Sequence, residues 1–310
     1  METREYGDGG PQLSVVGLGC NNFGMKLDAE GSRAVVAAAL DAGITHFDTA
    51  EMYGEGKSEE FLGAALADRR DEAVIATKYL PRPQDEPWTP GVLATRIREA
   101  CESSLRRLGT DRIDVYYQHY PDPEAPVEEV VETLDELVRA GKVLHVATSN
   151  VDAGRITGSR QVAEKLGLTP FTGVQAEWNL LSRDVEAGVV PAARAAGMGV
   201  VPYFPLASGL LTGKYAAGQP YPEGSRFALI PYFAQVATEE NFRKVEQLTR
   251  FAADRGRSII EFAFGWLLAQ DGVASVIAGA TTPEQVAANA AAIGWKPDAQ
   301  ELAAVQDILR

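Results

Sequence analysis

Short apolar segments rich in β-branched residues alternate with longer amphipathic segments along the whole chain. The short segments are typical of buried strands, and the longer ones place apolar residues at helical spacing, as Val35, Ala39 and Leu40 do before Gly43. The predicted strands are 13–19, 45–48, 73–78, 113–119, 143–149, 172–175, 199–202 and 274–277. The predicted helices are one that ends at 43, then 58–66, 92–108, 130–138, 152–166, 185–196, 239–255 and 283–292. Ser58 is expected to cap the second helix.

This alternation indicates a (β/α)8 TIM barrel of class α/β, formed as a single domain over residues 1–310. An open doubly wound sheet is the alternative, and it should carry the pattern GxGxxG directly after its first strand. Here the loop over residues 17–24 reads GLGCNNFG, which lacks the third glycine at the required place. No linker or change in composition divides the chain, and we therefore expect the barrel.

The charge balance bears on partners and location. The chain of 310 residues has 43 acidic and 29 basic residues, a net charge of −14. This balance argues against nucleic acid or an anionic membrane as the main partner, and an anionic cofactor would need a local basic site. The two cysteines are far apart, which suits a reducing compartment. The start of the chain has no signal-like apolar core and no apolar run approaches membrane-spanning length, so we expect a cytoplasmic protein.

Polar and charged side chains stand at the ends of three successive predicted strands. Asp48 ends the second strand, Lys78 the third and His119 the fourth, and Tyr53 lies in the loop after Asp48. In a barrel these strand ends share one mouth, where barrel enzymes carry their active sites. A tyrosine has a pKa of about 10 and is a poor acid at neutral pH unless a cation lies beside it. We expect Lys78 to be that cation and to lower the pKa of Tyr53.

Three of these residues have a structural explanation when each is taken alone: a helix cap or salt bridge for Asp48, a snorkelling side chain for Lys78 and a loop anchor for Tyr53. Their order on successive strands favours one shared catalytic site. His46 lies deeper on the strand that ends in Asp48, and we interpret both His46 and His145 as structural. No HxH pattern occurs, and Cys20 and Cys101 do not form a zinc-ligand pair, so no metal site is predicted.

Three segments resemble the aldo-keto reductase superfamily. They are GITHFDTAEMYG at 43–54, TK at 77–78 and YQHYPD at 117–122. The segments occur in family order, and the resemblance continues to the C-terminus. It implies an NADP-dependent oxidoreductase that reduces an aldehyde, ketone or keto-sugar carbonyl to an alcohol, with the hydride coming from a nicotinamide.

The resemblance also implies a catalytic role for each of the four residues. Tyr53 would donate a proton to the carbonyl oxygen, and Lys78 would stabilise the tyrosinate that results. Asp48 would keep Lys78 charged and in place. His119 would donate a hydrogen bond to the carbonyl oxygen and orient the substrate. The electrostatics of these residue types agree with the implied roles.

The second half of the chain carries the implied cofactor site. Ser149, Asn150 and Gln175 have side chains that can pair with a carboxamide, and they match the family's nicotinamide contacts. Tyr203 matches an aromatic residue that stacks on the nicotinamide ring, and Lys214 matches a lysine that meets the pyrophosphate. The predicted cofactor-binding residues are Cys20, Asn21, Ser149, Asn150, Gln175, Tyr203, Phe204, Pro205, Leu206, Lys214, Gly279, Thr281, Gln285 and Asn289.

The segment after the eighth strand bears on the choice between NADPH and NADH. It places a helix N-terminus, which favours phosphate, directly after that strand. Gly279 and Gln285 stand where many family members have Lys and Arg, and glutamine brings no charge to a phosphate. Thr281 and the helix amides can still hold the 2′-phosphate. NADPH is therefore the expected cofactor, and NADH stays possible.

The predicted mouth loops are aromatic and mixed in charge, which suits a small-molecule carbonyl substrate without selecting one. These segments are 25–27, 79–90, 120–126 and 221–237, together with Trp178. Two other functions stay open. One is a nicotinamide-binding, redox-sensing regulatory subunit with little turnover. The other is a lyase or isomerase with Lys78 as a Schiff base, which the neighbouring Asp48 disfavours. The sequence does not fix the oligomeric state, although resemblance to monomeric relatives favours a monomer.

Overall fold

The computed structural model describes residues 1–83 and 85–310. Within these residues, eight parallel strands form a barrel and helices cover its outside, so the predicted (β/α)8 fold is confirmed. An antiparallel hairpin of β1 (Thr3–Glu5) and β2 (Gln12–Ser14) precedes the barrel. The barrel strands are β3 (Val16–Gly19), β4 (His46–Asp48), β5 (Val74–Tyr79), β6 (Ile113–Gln118), β7 (Val143–Ser149), β8 (Gly173–Glu177), β9 (Gly199–Tyr203) and β10 (Val276–Gly279).

The helices follow the strands in the expected alternation. They are α1 (Ala29–Asp41), α2 (Lys57–Leu66), α3 (Val92–Leu108), α4 (Val127–Arg139), α5 (Ala153–Leu166), α6 (Val189–Ala195), α7 (Arg226–Leu229), α8 (Glu239–Ala253), α9 (Ile259–Leu268), α10 (Pro283–Ala291) and α11 (Ala299–Leu309). Short 3-10 segments interrupt the loops, among them Tyr53–Gly56 and Ala207–Thr212. Among the described residues, none of these helices is both long enough and apolar enough to cross a membrane.

The order of the strands places all their carboxyl ends at one mouth. The sheet runs β10-β3-β4-β5-β6-β7-β8-β9. A bridge between Val200 and Val273 joins β9 to the segment before β10 and brings the two edges of the sheet together. In the register of β5 and β6, Lys78 lies beside Tyr117. Because the strands are parallel, residues at their carboxyl ends converge on the mouth.

The N-terminal hairpin closes the opposite, amino end of the barrel. Tyr6 is completely buried there, against the first residues of β8 and β9, Gly173 and Gly199. A Cβ atom added to Gly173 would lie 2.0 Å from the Tyr6 ring, so a larger residue does not fit at this position. The Tyr117 hydroxyl donates to the Tyr6 hydroxyl at 2.8 Å inside the barrel. This hydrogen bond links the hairpin to β6.

Two predicted elements are divided in the structure. The strand predicted at 13–19 is split between β2 and β3, because the Ser14 hydroxyl donates to the Val16 carbonyl at 2.7 Å where the chain turns from the hairpin into the barrel. The helix predicted at 185–196 is split at Gly188, whose φ of −143° is not helical. The flanking pieces are the 3-10 segment Asp184–Ala187 and α6.

The prediction that Ser58 caps α2 is wrong. The helix is preceded by Gly56 in a left-handed conformation with φ of 91°, and Ser58 lies inside its first turn. The Ser58 hydroxyl donates to the Cys20 carbonyl at 2.9 Å and lies 2.8 Å from the Thr49 hydroxyl. Ser58 therefore ties the loop after β3 to the loop after β4, both of which border the mouth.

The short helix α7 and two longer helices, α9 and α11, were not predicted. Most of α9 is buried, and its sequence is apolar on nearly every side. A helix is recognised from sequence by the alternation of an apolar and a polar face, and α9 has no polar face to produce that alternation. Both longer helices begin with a capping box, formed by Ser258 with Glu261 and by Asp298 with Glu301. This local pattern was the available sequence signal.

Candidate active site

The four predicted catalytic residues lie together at the carboxyl mouth. Asp48 is the last residue of β4, Lys78 is the second-last residue of β5, and His119 directly follows β6. The loop after β4 carries Tyr53 at the start of its 3-10 turn. The boundaries of β5 and β6 differ from the prediction by one residue each, which leaves the side chains at the same mouth.

Asp48 and Lys78 form a buried ion pair. Lys78 is 0% exposed, and its Nζ donates to Asp48 Oδ1 at 2.6 Å and to the Thr49 carbonyl at 2.8 Å. A buried ammonium needs such partners, because its desolvation would otherwise favour the neutral amine. Burial acts to lower the pKa of Lys78, but attraction to Asp48 and to Tyr53 outweighs it and raises this pKa. Lys78 is therefore charged at neutral pH.

Tyr53 lies against this ion pair. Lys78 Nζ is 5.1 Å from the centroid of the Tyr53 ring. Burial raises the pKa of Tyr53, whereas the charge of Lys78 lowers it and that of Asp48 raises it, so that the pKa stays above its ordinary value. The expected influence of Lys78 is present, but the expected net lowering is wrong because desolvation is stronger. The phenol is thus fully protonated at neutral pH, as a proton donor must be.

His119 is a neutral imidazole beside Tyr53. Burial and the nearby charge of Lys78 lower the pKa of His119 to about 3. The ring meets the Tyr53 ring edge-on, with 5.9 Å between centroids and an angle of 86°, and stacks on the Tyr120 ring at 4.6 Å. The Nδ1 atom of His119 is buried and has no hydrogen-bond partner among the described residues. Because a ligand cannot reach a buried atom, Nε2 is the nitrogen through which His119 can contact a ligand.

Gln175 contacts the carboxylate of Asp48. Its amide Nε2 donates to Asp48 Oδ2 at 2.7 Å, from the strand β8 on the other side of the barrel interior. The sequence assigned Gln175 to the carboxamide of the cofactor, and it gave no sign of this contact. The bond to Asp48 uses one of the two N–H groups of this amide, which leaves the second N–H and the amide oxygen for other contacts.

Three of the predicted cofactor residues form one hydrogen-bonded group beside His119. Asn150 Nδ2 donates to the His119 carbonyl at 2.9 Å and to Ser149 Oγ at 3.1 Å, and Asn150 Oδ1 accepts from the Tyr203 hydroxyl at 2.8 Å. Asn150 has φ of 57°, a left-handed conformation that asparagine tolerates better than most residues. The group joins the ends of β7 and β9 to the residue that follows β6.

The loop after β9 has an unusual backbone. Phe204, Ala207 and Ser208 have φ of 51°, 46° and 57°, which is costly for residues other than glycine. Asn179 Nδ2 supports the turn by donating to the Phe204 carbonyl at 3.1 Å. Pro205 and Leu206, also predicted to contact the cofactor, lie within this turn. Such strained turns persist only where the surroundings hold them.

Lys214 folds back over the same loop. Its Nζ lies 3.1 Å from the place where a Cβ on Gly209 would be, and 5.1 Å from the centroid of the Tyr215 ring. Gly209 has φ of 102° and therefore allows this close approach. The predicted lysine is thus held over the loop after β9.

The end of β10 brings together the residues predicted to contact phosphate and adenosine. Gln285 Oε1 accepts from the Thr281 amide at 2.8 Å and from the Thr281 hydroxyl at 3.2 Å, so its side chain closes the turn before α10. A Cβ added to Gly279 would lie 3.4 Å from Asn21 Oδ1, which places Asn21 beside this strand end. Asn289 lies on α10 and is mostly buried.

Cys20 differs from the other predicted cofactor residues. It is completely buried, and its backbone amide donates to the Asp48 carbonyl at 2.8 Å. Its side chain therefore offers no surface to a ligand, and its contribution is to fix the end of β3 against β4. Among the described residues, no group of three or more His, Cys, Asp and Glu side chains is arranged to hold a metal ion.

The sequence missed a basic residue near Lys214. Arg226 begins α7, in a stretch predicted to be irregular, and its guanidinium carbon lies 5.7 Å from the Phe204 ring centroid and 5.0 Å from that of Phe233. Burial, followed by repulsion from Arg226 and Lys214, lowers the pKa of Lys26, so both cations lie within electrostatic range of Lys26. The signal that could have located α7 is Ser225, whose hydroxyl caps it.

A parallel barrel with a buried lysine–carboxylate pair, a protonated tyrosine and a neutral histidine at its carboxyl mouth has the features of a barrel oxidoreductase. Comparison with known families gives a match to the Aldo/keto reductase family over residues 15–310. The chain belongs to this family.

Three relatives illustrate the range of proteins that this chain is similar to. A probable voltage-gated potassium channel subunit beta of Oryza sativa subsp. japonica is 36% identical, with 96% of this chain and 92% of that protein covered. The aldo-keto reductase YhdN of Bacillus subtilis is 34% identical, with 100% and 94% covered. The L-glyceraldehyde 3-phosphate reductase of Escherichia coli K12 is 34% identical, with 94% and 88% covered.

Proposed function

We propose that this protein is an NADPH-dependent reductase that converts an aldehyde, ketone or keto-sugar to the alcohol. The observation that carries the proposal is the buried ion pair of Lys78 and Asp48 against Tyr53, with neutral His119 beside the same tyrosine. A buried cation next to a protonated phenol is the arrangement that proton transfer to a carbonyl oxygen requires.

The cofactor, when bound, supplies the hydride that the carbonyl carbon accepts. Tyr53 gives its proton to the carbonyl oxygen, and the tyrosinate that forms is stabilised by the charge of Lys78. Asp48 holds Lys78 in its charged state through the 2.6 Å contact. Neutral His119 donates from Nε2 to the same oxygen and orients the substrate, a role that a histidine with a pKa of about 3 can perform throughout the physiological range.

The side chains at the mouth fit a dinucleotide phosphate. Arg226 and Lys214 both repel the ammonium of Lys26, whose pKa is lowered first by burial and then by these two cations, so three cations act on this part of the mouth. In a chain with a net charge of −14, such a cluster is a local site for an anion. We assign the pyrophosphate to this cluster and the 2′-phosphate to Thr281 and the N-terminus of α10.

Large apolar side chains are exposed on the loops of the mouth, where we place the carbonyl substrate. Tyr120 is 44% exposed and stacks on His119, and Met25, Met52 and Tyr232 are 63%, 46% and 69% exposed. These surfaces suit a medium-sized carbonyl compound. The relative from Escherichia coli is named for L-glyceraldehyde 3-phosphate, so this compound belongs in the substrate panel.

A second candidate function is a redox-sensing regulatory subunit that binds nicotinamide and turns over little. The similarity to a probable potassium channel subunit beta favours it, because that similarity extends over 96% of this chain. Such a subunit can retain all four predicted catalytic residues, so their presence does not separate the two functions.

The deciding experiment has two stages. Fluorescence titration with NADPH and NADH measures cofactor binding, and a panel of aldehydes, ketones and keto-sugars then measures turnover. NADPH binding with turnover that Tyr53→Phe abolishes supports the reductase. Binding without turnover on any carbonyl favours the regulatory subunit. Turnover by Tyr53→Phe at the wild-type rate contradicts the assigned acid, and failure to bind either nucleotide contradicts both functions.

A further inference from the structure

The loop that carries Tyr53 is attached to β5 through Glu51. The side chain of Glu51 is 12% exposed, and its Oε1 accepts from the Leu80 amide at 2.6 Å. The same oxygen accepts from the guanidinium of Arg96 on α3. The backbone amide of Glu51 donates to the Lys78 carbonyl at 3.2 Å. Glu51 thus contacts the chain on both sides of Tyr79, the last residue of β5: it bonds Lys78 before it and Leu80 after it.

These contacts connect the proton donor to its cation. Glu51 precedes Tyr53 by two residues, and the two contacts that it makes on β5 flank Tyr79, next to Lys78. After Tyr53 the chain enters a turn in which Glu55, although not a glycine, has φ of 57°. A turn of this kind needs support from its surroundings. The contacts of Glu51 with Lys78 and Leu80 attach the chain just before this turn to the end of β5.

We propose that Glu51 is a positioning residue that, together with Arg96, fixes Tyr53 relative to Lys78. The inference rests on the proposed reductase function, because it assigns Glu51 a part in placing the proton donor of that reaction. Displacement of a catalytic group by about 1 Å can cost roughly 100-fold in rate, so a support two residues away has a direct effect on turnover.

The chain offers a matched control on the same strand. Asp114 accepts from the Ile75 amide of β5 at 2.8 Å and from Arg70 Nη2 at 2.6 Å. The side chain of Asp114 is 12% exposed and that of Arg70 is 15% exposed. This carboxylate therefore makes the same two kinds of contact as Glu51, but near the amino end of β5. If Glu51 only stabilises the fold, substitutions of Glu51 and Asp114 should have similar effects on stability and on kcat. If Glu51 positions Tyr53, only the substitution of Glu51 should lower kcat.

The test compares Glu51→Ala, Glu51→Gln, Asp114→Ala and wild type in the full chain. Glu51→Ala should lower kcat about 10- to 100-fold, with the KM for the carbonyl and the Kd for NADPH changed less than about twofold. Glu51→Gln keeps an oxygen for the Leu80 amide and should recover part of the loss. Asp114→Ala should lower Tm and leave kcat nearly unchanged. Wild-type kcat in Glu51→Ala, or an equal loss in Asp114→Ala, overturns the proposal.

Amide hydrogen exchange separates this inference from the proposed function. Exchange over residues 49–56 should be at least about tenfold faster in Glu51→Ala than in Asp114→Ala, because the loop has lost its side-chain attachment to the end of β5. If wild type binds NADPH but reduces no carbonyl, the proposed function fails, and the exchange comparison still decides whether Glu51 holds the loop. Equal exchange in the two variants overturns the inference even in an active enzyme.

Discussion

Gln175 donates a hydrogen bond to Asp48 at 2.7 Å, across the interior of the barrel from β8 to β4. Asp48 therefore shares its two carboxylate oxygens between Gln175 and Lys78. A buried carboxylate with both oxygens satisfied is held in one orientation, and so is the ammonium paired with it. The position of Lys78 beneath Tyr53 depends in this way on a residue from the second half of the chain.

Replacing Gln175 by methionine, which has a similar length, should therefore destabilise the protein. One oxygen of the buried Asp48 loses its donor, which costs about 1–3 kcal/mol in the free energy of unfolding. We also expect kcat to fall about tenfold, because Asp48 and Lys78 gain freedom to move. Urea unfolding and steady-state kinetics measure the two effects. Gln118→Met is the control, since Gln118 is equally buried but bonds the uncharged Thr148 at 3.4 Å; an equal change in that variant contradicts the argument.

The ion pair of Lys78 and Asp48 makes a second prediction, which separates stability from chemistry. Lys78→Met leaves Asp48 buried without a cation and should cost about 3–5 kcal/mol in the free energy of unfolding. Adding Asp48→Asn removes the unpaired charge, so the double variant should regain most of that loss. Neither variant should reduce a carbonyl, because no cation remains to stabilise the tyrosinate. A single variant as stable as the double one contradicts the assigned burial of the pair.

The pH dependence of stability follows from two buried histidines. Burial lowers the pKa of His46 to about 4 and that of His119 to about 3, whereas both have ordinary values when the chain is unfolded. Below pH 6.5 the unfolded chain binds protons that the folded chain does not. The free energy of unfolding should therefore fall as pH drops from about 6.5 toward 4, by up to about 1.4 kcal/mol per pH unit for each histidine.

Urea unfolding at pH 7, 6 and 5 measures this slope. His46→Gln should reduce this slope by the contribution of one proton. Glutamine is chosen because it keeps a polar group near the Ser275 hydroxyl, which lies 2.9 Å from His46 Nδ1. His145→Gln is the control, because His145 is only partly buried and should change the slope less. Equal slopes in His46→Gln and wild type would show that His46 is not held neutral in the folded protein.

The residues at the strand ends were predictable because, in a parallel barrel, every residue at the carboxyl end of a strand lies at the same mouth. Asp48 ends β4, Lys78 is one residue from the end of β5 and His119 directly follows β6, so counting strands was enough to place them at one mouth. Gln175 was predictable as a residue of the mouth but not as a partner of Asp48, because the contact depends on side-chain reach across the interior. Arg226 was missed, since α7 is too short to produce helical periodicity.

The last prediction concerns the choice between the two nucleotides. Gln285 closes the turn before α10 through Thr281 and brings no charge to the proposed 2′-phosphate site. Gln285→Arg places a guanidinium at this turn, and a charged hydrogen bond to phosphate should tighten NADPH relative to NADH by about tenfold. The measurement is the ratio of the two dissociation constants from fluorescence titration. Gln300→Arg adds the same charge at an exposed position on α11 and should leave the ratio unchanged. If Gln285→Arg also leaves the ratio unchanged, the 2′-phosphate does not bind beside Gln285.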